Sequence, residues 1–277
     1  MIDVFLPYRG EFGHKVMWHA PWVNACESEK IICCEKGEEA LYPNATKYIY
    51  SQRKNDADKR EYSEFDARYI NKAGEAVLDL FTPETRANLR LRTPPPKHPG
   101  PKPTIPLKYF VPRPYTEVPD IDVDIAICPR YREYGEDRNW AMWPKVVEWL
   151  QSEGFKVASC GAPDSSVKLP CTAAWDLSPN YLDATLAIMH KAKFVLTTDC
   201  GLAHLTLACG KPLLMICYQG RGGPKSSQIK DWRFTMENHK SAPIVKIENG
   251  WESFDDIKRA VKGYYRHVSQ SSNQSNS

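Results

Sequence analysis

The sequence lacks any apolar run long enough to cross a membrane, and its charge is nearly balanced. No stretch approaches the roughly 20 apolar residues that a membrane helix needs. The first residues, MIDVFLPYRGEFG, lack the basic and apolar regions of a signal peptide. A net charge of +3 is too small a bias to indicate nucleic acid as the partner. These absences predict a globular cytoplasmic protein with no transmembrane segment.

Motifs for metals and common cofactors are also missing. The nine cysteines form no CxxC pair, and their spacing matches no zinc pattern. Several lie in apolar runs such as IICC and LLMIC, so we expect buried, reduced thiols rather than disulfides. The segments GEFG and GRGGPKSS match neither a dinucleotide fingerprint nor a Walker A loop. We therefore predict no metal site and no bound cofactor.

What the sequence does have is an alternation of strand and helix patterns on both sides of a proline-rich break. In the first half the strands are predicted at 2–6, 30–34 and 47–50, with helices at 15–26 and 74–81 and Pro21 at a kink or boundary. Residues 94–119 contain too many prolines for regular structure. We interpret them as a semi-rigid linker; the alternative is a ligand for a proline-recognising module.

The second half repeats the same order. Strands are predicted at 123–128, 155–160, 194–197, 212–218 and 244–247, with helices at 140–152, 181–191, 202–209 and 254–268. The predicted fold class is α/β, with two Rossmann-like doubly wound domains facing a cleft. The predicted domains are 1–118, which ends in the proline-rich linker, and 119–267. Residues 268–277 are predicted to form a disordered tail.

The segment FVLTTDCGLAHLTLACGKPLLMI, residues 194–216, is the most informative for function. It is predicted to form a strand, a turn and a helix start. Helix N-termini expose unpaired N–H groups and partial positive charge, and Gly201 lets a phosphate approach the backbone. His204 lies in the first helical turn. An anion site and an ordinary turn capped by Asp199 explain this spacing equally well.

The same segment resembles the D-[ST]-G-x-x-H-x-A-x-x-x-G-x-P block of heptosyltransferases and related GT-B glycosyltransferases. In register with the block are Asp199, Gly201, His204, Gly210 and Pro212, whereas Cys200 replaces its Ser or Thr. The resemblance extends from Val123 to Tyr218. It implies a GT-B enzyme that moves a sugar from a nucleotide-diphosphate sugar, its co-substrate, to an acceptor hydroxyl.

The resemblance also implies where the donor binds. The diphosphate would face residues at the helix start, namely Asp199, Cys200, Gly201, Leu202, Ala203 and His204. Arg130, Arg132 or Arg138 would reach the same phosphates, because arginine forms forked, charge-assisted bonds. A solvated loop is the alternative for these arginines. Gly161 and Asp176 are candidates for contacts with the base and ribose.

The turn YRGEFGH, after the first strand, is the predicted position of the general base. In the family this turn carries an acidic base, for which Glu11 is the counterpart and His14 the second candidate. Helix capping by Glu11 is the alternative. The segment DVD at 122–124 lies at a strand start, the wrong end for a metal-binding DxD motif, and no DxD motif occurs at a persuasive strand end. The resemblance therefore implies an inverting, metal-independent transferase.

Two other functions remain open at this stage: a sugar-nucleotide epimerase of the same fold, and an inactive nucleotide-sugar binding protein. For the acceptor, a glycan, a lipid-linked saccharide and a modified nucleic-acid base all fit the sequence. The sequence does not determine the sugar, the nucleotide or the oligomeric state.

Overall fold

The computed structural model describes residues 1–8, 12–51, 74–93, 112–131, 139–217, 244–247 and 251–274. The chain divides into two compact units, Met1–Phe110 and Val111–Ser277. Within the described residues, each unit is built on one parallel β-sheet with helices in the connections. The predicted α/β class is therefore confirmed.

The first unit contains four described strands. They are β1 (Ile2–Phe5), β2 (Lys30–Cys34), β3 (Lys47–Tyr50) and β4 (Leu89–Arg92), in the order β3-β2-β1-β4. Its helices are α1 (Phe12–His14), a π-helix (Lys15–His19), α2 (Ala20–Asn24), a 3-10 helix (Glu39–Leu41), α3 (74–78) and α4 (Pro83–Arg86). The chain runs outward from β1 to β3 and then returns to the other side of β1. The strands remain parallel, but the order in which they are added to the sheet reverses between β1 and β4.

The first helical segment changes from α to π geometry before Pro21. The π-helix Lys15–His19 is followed by α2, in which Pro21 occupies the first turn. Proline has no N–H to continue an α-helical ladder, and π segments are common at such irregularities. The predicted boundary at Pro21 is thus confirmed.

The second unit contains six described strands. They are β5 (Ile125–Cys128), β6 (Val157–Ser159), β7 (Thr172–Ala173), β8 (Phe194–Thr198), β9 (Leu213–Ile216) and β10 (Ile244–Ile247), in the order β10-β9-β8-β5-β6-β7. Its helices are α5 (Trp143–Ser152), α6 (Ala174–Leu177), α7 (Tyr181–Lys191), α8 (Gly201–Ala208) and α9 (Phe254–Gln274). In this sheet the order in which strands are added reverses between β5 and β8.

The core of the second unit explains its strand sequences. β5, β8 and β9 are buried along their whole length, as expected for parallel strands covered on both faces. The main cluster joins strand residues such as Ile127 to Trp143 of α5 and to Ile257 and Val261 of α9. These helices and strands therefore share one hydrophobic core.

The end of the proline-rich segment belongs to the second unit. Fully buried Asp183 of α7 accepts hydrogen bonds from the backbone N–H groups of Tyr115 (2.9 Å) and Thr116 (3.0 Å). His190 Nε2 lies 2.6 Å from the carbonyl oxygen of Pro112. Residues 112–116 are thus fastened to α7 rather than acting as a linker. Residues 94–111 of the predicted linker lie outside the described residues.

The polar tail differs from the prediction. α9 continues to Gln274, so the prediction of disorder is wrong for residues 268–274. The segment contains no proline or glycine after Val268, and an established helix adds each further residue at little cost.

All nine cysteines are free thiols; five are buried as predicted, whereas the other four are partly exposed, namely Cys26, Cys171, Cys200 and Cys217. Among the helices of the described residues, none is both long and apolar enough to cross a membrane.

Candidate functional site

The carboxyl edge of the second sheet, at the reversal between β5 and β8, brings together most of the described candidates. In doubly wound sheets, ligands bind at this point because the connections diverge there and leave a crevice. Arg130 follows β5, Gly161 follows β6, and Asp199 and Cys200 connect β8 to α8. The structure therefore gathers these residues from three neighbouring strands.

The start of α8 is poorly capped by the protein itself. Cys200 occupies the N-cap position but its side chain makes no capping hydrogen bond, and no acidic residue lies in the first turn. The Ala203 N–H donates to the Cys200 carbonyl at 3.1 Å. Cysteine is not among the residues that cap helices well. Neither the side chain of the N-cap residue nor an acidic residue of the first turn therefore satisfies the positive end of α8.

The Cys200 thiol adds no negative charge to this helix start. Its sulfur lies 3.3 Å from Thr197 Oγ1. Burial raises the pKa of Cys200 to about 11, although the N–H groups of Leu202 and Ala203 act in the opposite direction. At neutral pH the group is a thiol, which would not repel an anion.

Arg130 is buried at the end of the neighbouring strand. Its backbone forms a bridge with Ser166, and Tyr131 N–H donates to the Ser165 carbonyl at 2.9 Å. The guanidinium Nη1 donates to Asn139 Oδ1 at 3.2 Å. Two contacts of different kinds therefore fix the position of this arginine. Sequence reasoning missed Asn139 because a single polar residue after a charged loop carries no distinctive pattern.

Gly161 has a backbone that few other residues adopt. Its φ is +114°, and a Cβ at this position would lie 2.2 Å from Ser166 Oγ and 3.4 Å from Leu202 Cδ1. The Gly161 N–H donates to Thr185 Oγ1 at 3.0 Å. Glycine is thus required where the end of β6 passes close to the start of α8.

Of the five other predicted residues, the structure describes only Asp176 with its side chain. Asp176 is exposed in α6, where its carboxylate accepts a hydrogen bond from the Ala173 N–H at 2.9 Å. Of His14 only the backbone is described, in α1. Arg132 and Arg138 lie outside the described residues, as does Glu11 in the first unit. Their roles remain predictions.

The DVD segment is engaged at the opposite edge of the sheet. Asp122 pairs with Lys156, and Asp124 pairs with Lys193 at 3.0 Å before the start of β5. The pKa of Asp124 is below its usual value: burial acts to raise it but is outweighed by hydrogen bonds from the Lys156 N–H and from Lys193. These carboxylates therefore stabilise the amino edge of the sheet, far along the strands from α8.

Comparison with known proteins agrees with this geometry. Residues 115–219 match the model of glycosyltransferase family 9 (heptosyltransferase). No curated protein matches the chain.

Solved structures of similar fold include three glycosyltransferases. Escherichia coli ADP-heptose lipopolysaccharide heptosyltransferase II is 12% identical with a TM-score of 0.54, and the match covers 98% of this chain and 99% of that one. E. coli heptosyltransferase WaaC with ADP is 13% identical with a TM-score of 0.51, covering 95% and 99%. A family 9 glycosyl transferase from Veillonella parvula is 12% identical with a TM-score of 0.50, covering 94% and 89%. At these identities the likeness concerns the fold.

Proposed function

We propose that this chain moves a sugar from a nucleotide-diphosphate sugar to an acceptor hydroxyl. It is a heptosyltransferase-like glycosyltransferase, and its family 9 domain comprises residues 115–219. We further propose that it inverts the anomeric configuration and needs no metal. The observation that carries the proposal is the weakly capped start of α8 beside Arg130, at the reversal point of the second sheet.

The donor would place its diphosphate at this helix start. The N–H groups of Gly201 and Leu202 and the partial charge of α8 suit an anion, and Gly201 has no side chain to obstruct it. Arg130 supplies a full positive charge from the neighbouring strand. Structures of relatives hold ADP and ADP-2-deoxy-2-fluoro heptose, which supports a diphosphate donor.

In the proposed reaction, the acceptor oxygen attacks the anomeric carbon as the bond to the diphosphate breaks. The hydroxyl proton passes to a base, for which Glu11 and His14 remain the candidates. Negative charge accumulates on the leaving diphosphate, where α8 and Arg130 stabilise it as a metal ion would in other enzymes. One displacement inverts the configuration, which NMR of the product would detect.

Thermal unfolding with a panel of nucleotide diphosphates and nucleotide sugars, with and without magnesium, tests the donor site. A ligand at a hundredfold excess over its Kd adds about 2.7 kcal/mol to the stability of the folded state. We expect one nucleotide to raise the midpoint equally with and without magnesium. We expect His204→Ala to abolish the shift, and His267→Ala in α9 to preserve it. If no nucleotide shifts the midpoint, the proposed function is wrong.

A further inference from the structure

The two groups proposed to hold the diphosphate leave neighbouring strands of the second sheet at the same edge. Cys128 of β5 lies in register with Thr197 of β8. Arg130 follows Cys128 by two residues, and α8 begins at Gly201, four residues after Thr197. Both groups belong to the second unit. Their positions are therefore fixed by the pairing of two central strands.

The charges at this edge are few. Arg130 carries a full positive charge and is 9% exposed, and the start of α8 adds about half a charge. The Cys200 thiol adds none, because burial raises its pKa to about 11. Asp199, which precedes Cys200, carries an opposing carboxylate. Together Arg130, Asp199 and the helix start leave about half a positive charge, which holds a more negative ligand more tightly.

The donor and the product of the proposed transfer differ in charge at the terminal phosphate. In the donor this phosphate is esterified to the sugar. Transfer breaks the bond between the anomeric carbon and the ester oxygen, and its electron pair remains on the phosphate. The acceptor oxygen forms the new bond to that carbon, and its proton passes to the base. A phosphate monoester group ionises a second time near pH 6, so the product carries about one more negative charge at neutral pH.

We propose that the nucleoside diphosphate product binds this site about tenfold more tightly than the nucleotide-sugar donor. Groups that stabilise the charge on the leaving diphosphate in the transition state meet the full charge in the product. Continued transfer then depends on a second reaction that consumes the nucleoside diphosphate, of the class in which water cleaves off the terminal phosphate. This inference rests on the proposed function, because it concerns the product of that transfer.

Isothermal titration calorimetry on the full chain tests the difference in affinity. The probes are ADP, AMP, ADP-glucose and the methyl ester of the terminal phosphate of ADP, or the same four ligands of whichever base raises the thermal midpoint most. We expect ADP to bind about tenfold more tightly than ADP-glucose. The methyl ester has the charge of the donor without its sugar, so it should bind as weakly as ADP-glucose. AMP should bind at least tenfold more weakly than ADP, so that hydrolysis clears the site.

A matched pair of variants tests the part that Arg130 plays. Arg130→Gln should weaken binding of ADP more than binding of ADP-glucose, which brings the ratio of the two affinities towards one. Arg259→Gln is the control, because the Arg259 side chain is 78% exposed on α9 and pairs with Asp256. It should leave the ratio unchanged. If Arg130→Gln does not fold, the methyl ester on the wild-type chain decides between charge and size.

Four results would each overturn the inference: equal affinities for ADP and ADP-glucose, a methyl ester that binds as tightly as ADP, AMP that binds as tightly as ADP, or an unchanged ratio in folded Arg130→Gln. In these cases a midpoint raised by ADP leaves the proposed function standing. Only the absence of binding by every nucleotide overturns the inference and the proposed function together.

Discussion

At the scale of single residues, Asp3 links the central strand β1 of the first sheet to β4, which lies at the edge of the described sheet. It is fully buried in β1 and accepts from Arg90 of β4 through Nε (2.6 Å) and Nη2 (2.9 Å). Asp3 and Arg90 are directly opposite each other across the strand pair. Ser28 donates to the same carboxylate at 2.6 Å. This forked pair specifies the register of β4, which reaches β1 only after a long intervening segment.

We expect Asp3→Asn to lower the free energy of unfolding by about 1–3 kcal/mol at pH 7, the usual worth of a hydrogen bond to a charged group. The hydrogen bond from Arg90 holds the pKa of Asp3 well below its usual 3.8. Its stabilising effect is therefore complete above about pH 4 and declines as pH falls towards the folded-state pKa. In urea unfolding, the difference between wild type and variant should shrink below that pH.

Asp79→Asn serves as the matched control, because its pair with Arg86 is exposed and such pairs contribute little. A constant difference between Asp3→Asn and wild type down to strongly acidic pH would contradict the ionic role of Asp3.

Also at this scale, the glycines of the recognised sequence block have separable roles. Gly210 ends α8 with a φ of +67°, its N–H donates to Leu207, and the Lys211 N–H donates to Thr206. This is the hydrogen-bond pattern of a glycine helix terminus, so Gly210 is structural. Gly201 has no positive φ. The sequence alone could not separate these roles, because both glycines flank the same helix.

At the scale of elements, the fastening of residues 112–116 to α7 depends on Asp183. Its carboxylate accepts from two backbone N–H groups and from Asn180 Nδ2 at 2.9 Å. We expect Asp183→Asn to lower the free energy of unfolding by about 1–3 kcal/mol, because an amide provides fewer acceptors for these donors. Limited proteolysis should then cut near Tyr115 faster than in wild type. Glu148→Gln, on the exposed face of α5, should leave the cleavage rate unchanged, and equal rates for all three proteins would refute the anchoring role.

Periodicity predicted some elements fully and others not at all. The bounds of β2, β3, α7 and β10 agree with the prediction, because each is a short apolar or amphipathic segment between clear breaks. β4 was missed: its sequence LRLR is short and alternates with arginine, and its pairing with β1 depends on tertiary contacts. The π-helix was also missed, because no local sequence pattern specifies it.

At the scale of the whole molecule, both sheets share one design. In each unit the chain first adds strands on one side of the unit's first strand and then adds the remaining strands on its other side. The order of strands therefore reverses beside that first strand. The candidate phosphate site follows the reversal of the second sheet, and the turn predicted to carry the base follows β1 at the reversal of the first. Sequence order predicted this repeated arrangement, whereas the fastening of residues 112–116 to α7 required the structure.

Because the proposed donor site lies in the second unit, we can predict which backbone amides a bound nucleotide diphosphate protects from hydrogen exchange. In amide hydrogen exchange on the full chain, at a hundredfold excess of ligand over its Kd, we expect exchange at Gly201 and Leu202 to slow by up to about a hundredfold. Their N–H groups would bind phosphate oxygens and also be shielded from water. The strands β1 to β4 should change little, because the proposed donor contacts all come from the second unit. Slower exchange in β1 to β4 without any change at α8 would move the nucleotide site to the first unit and overturn the roles of Arg130 and His204.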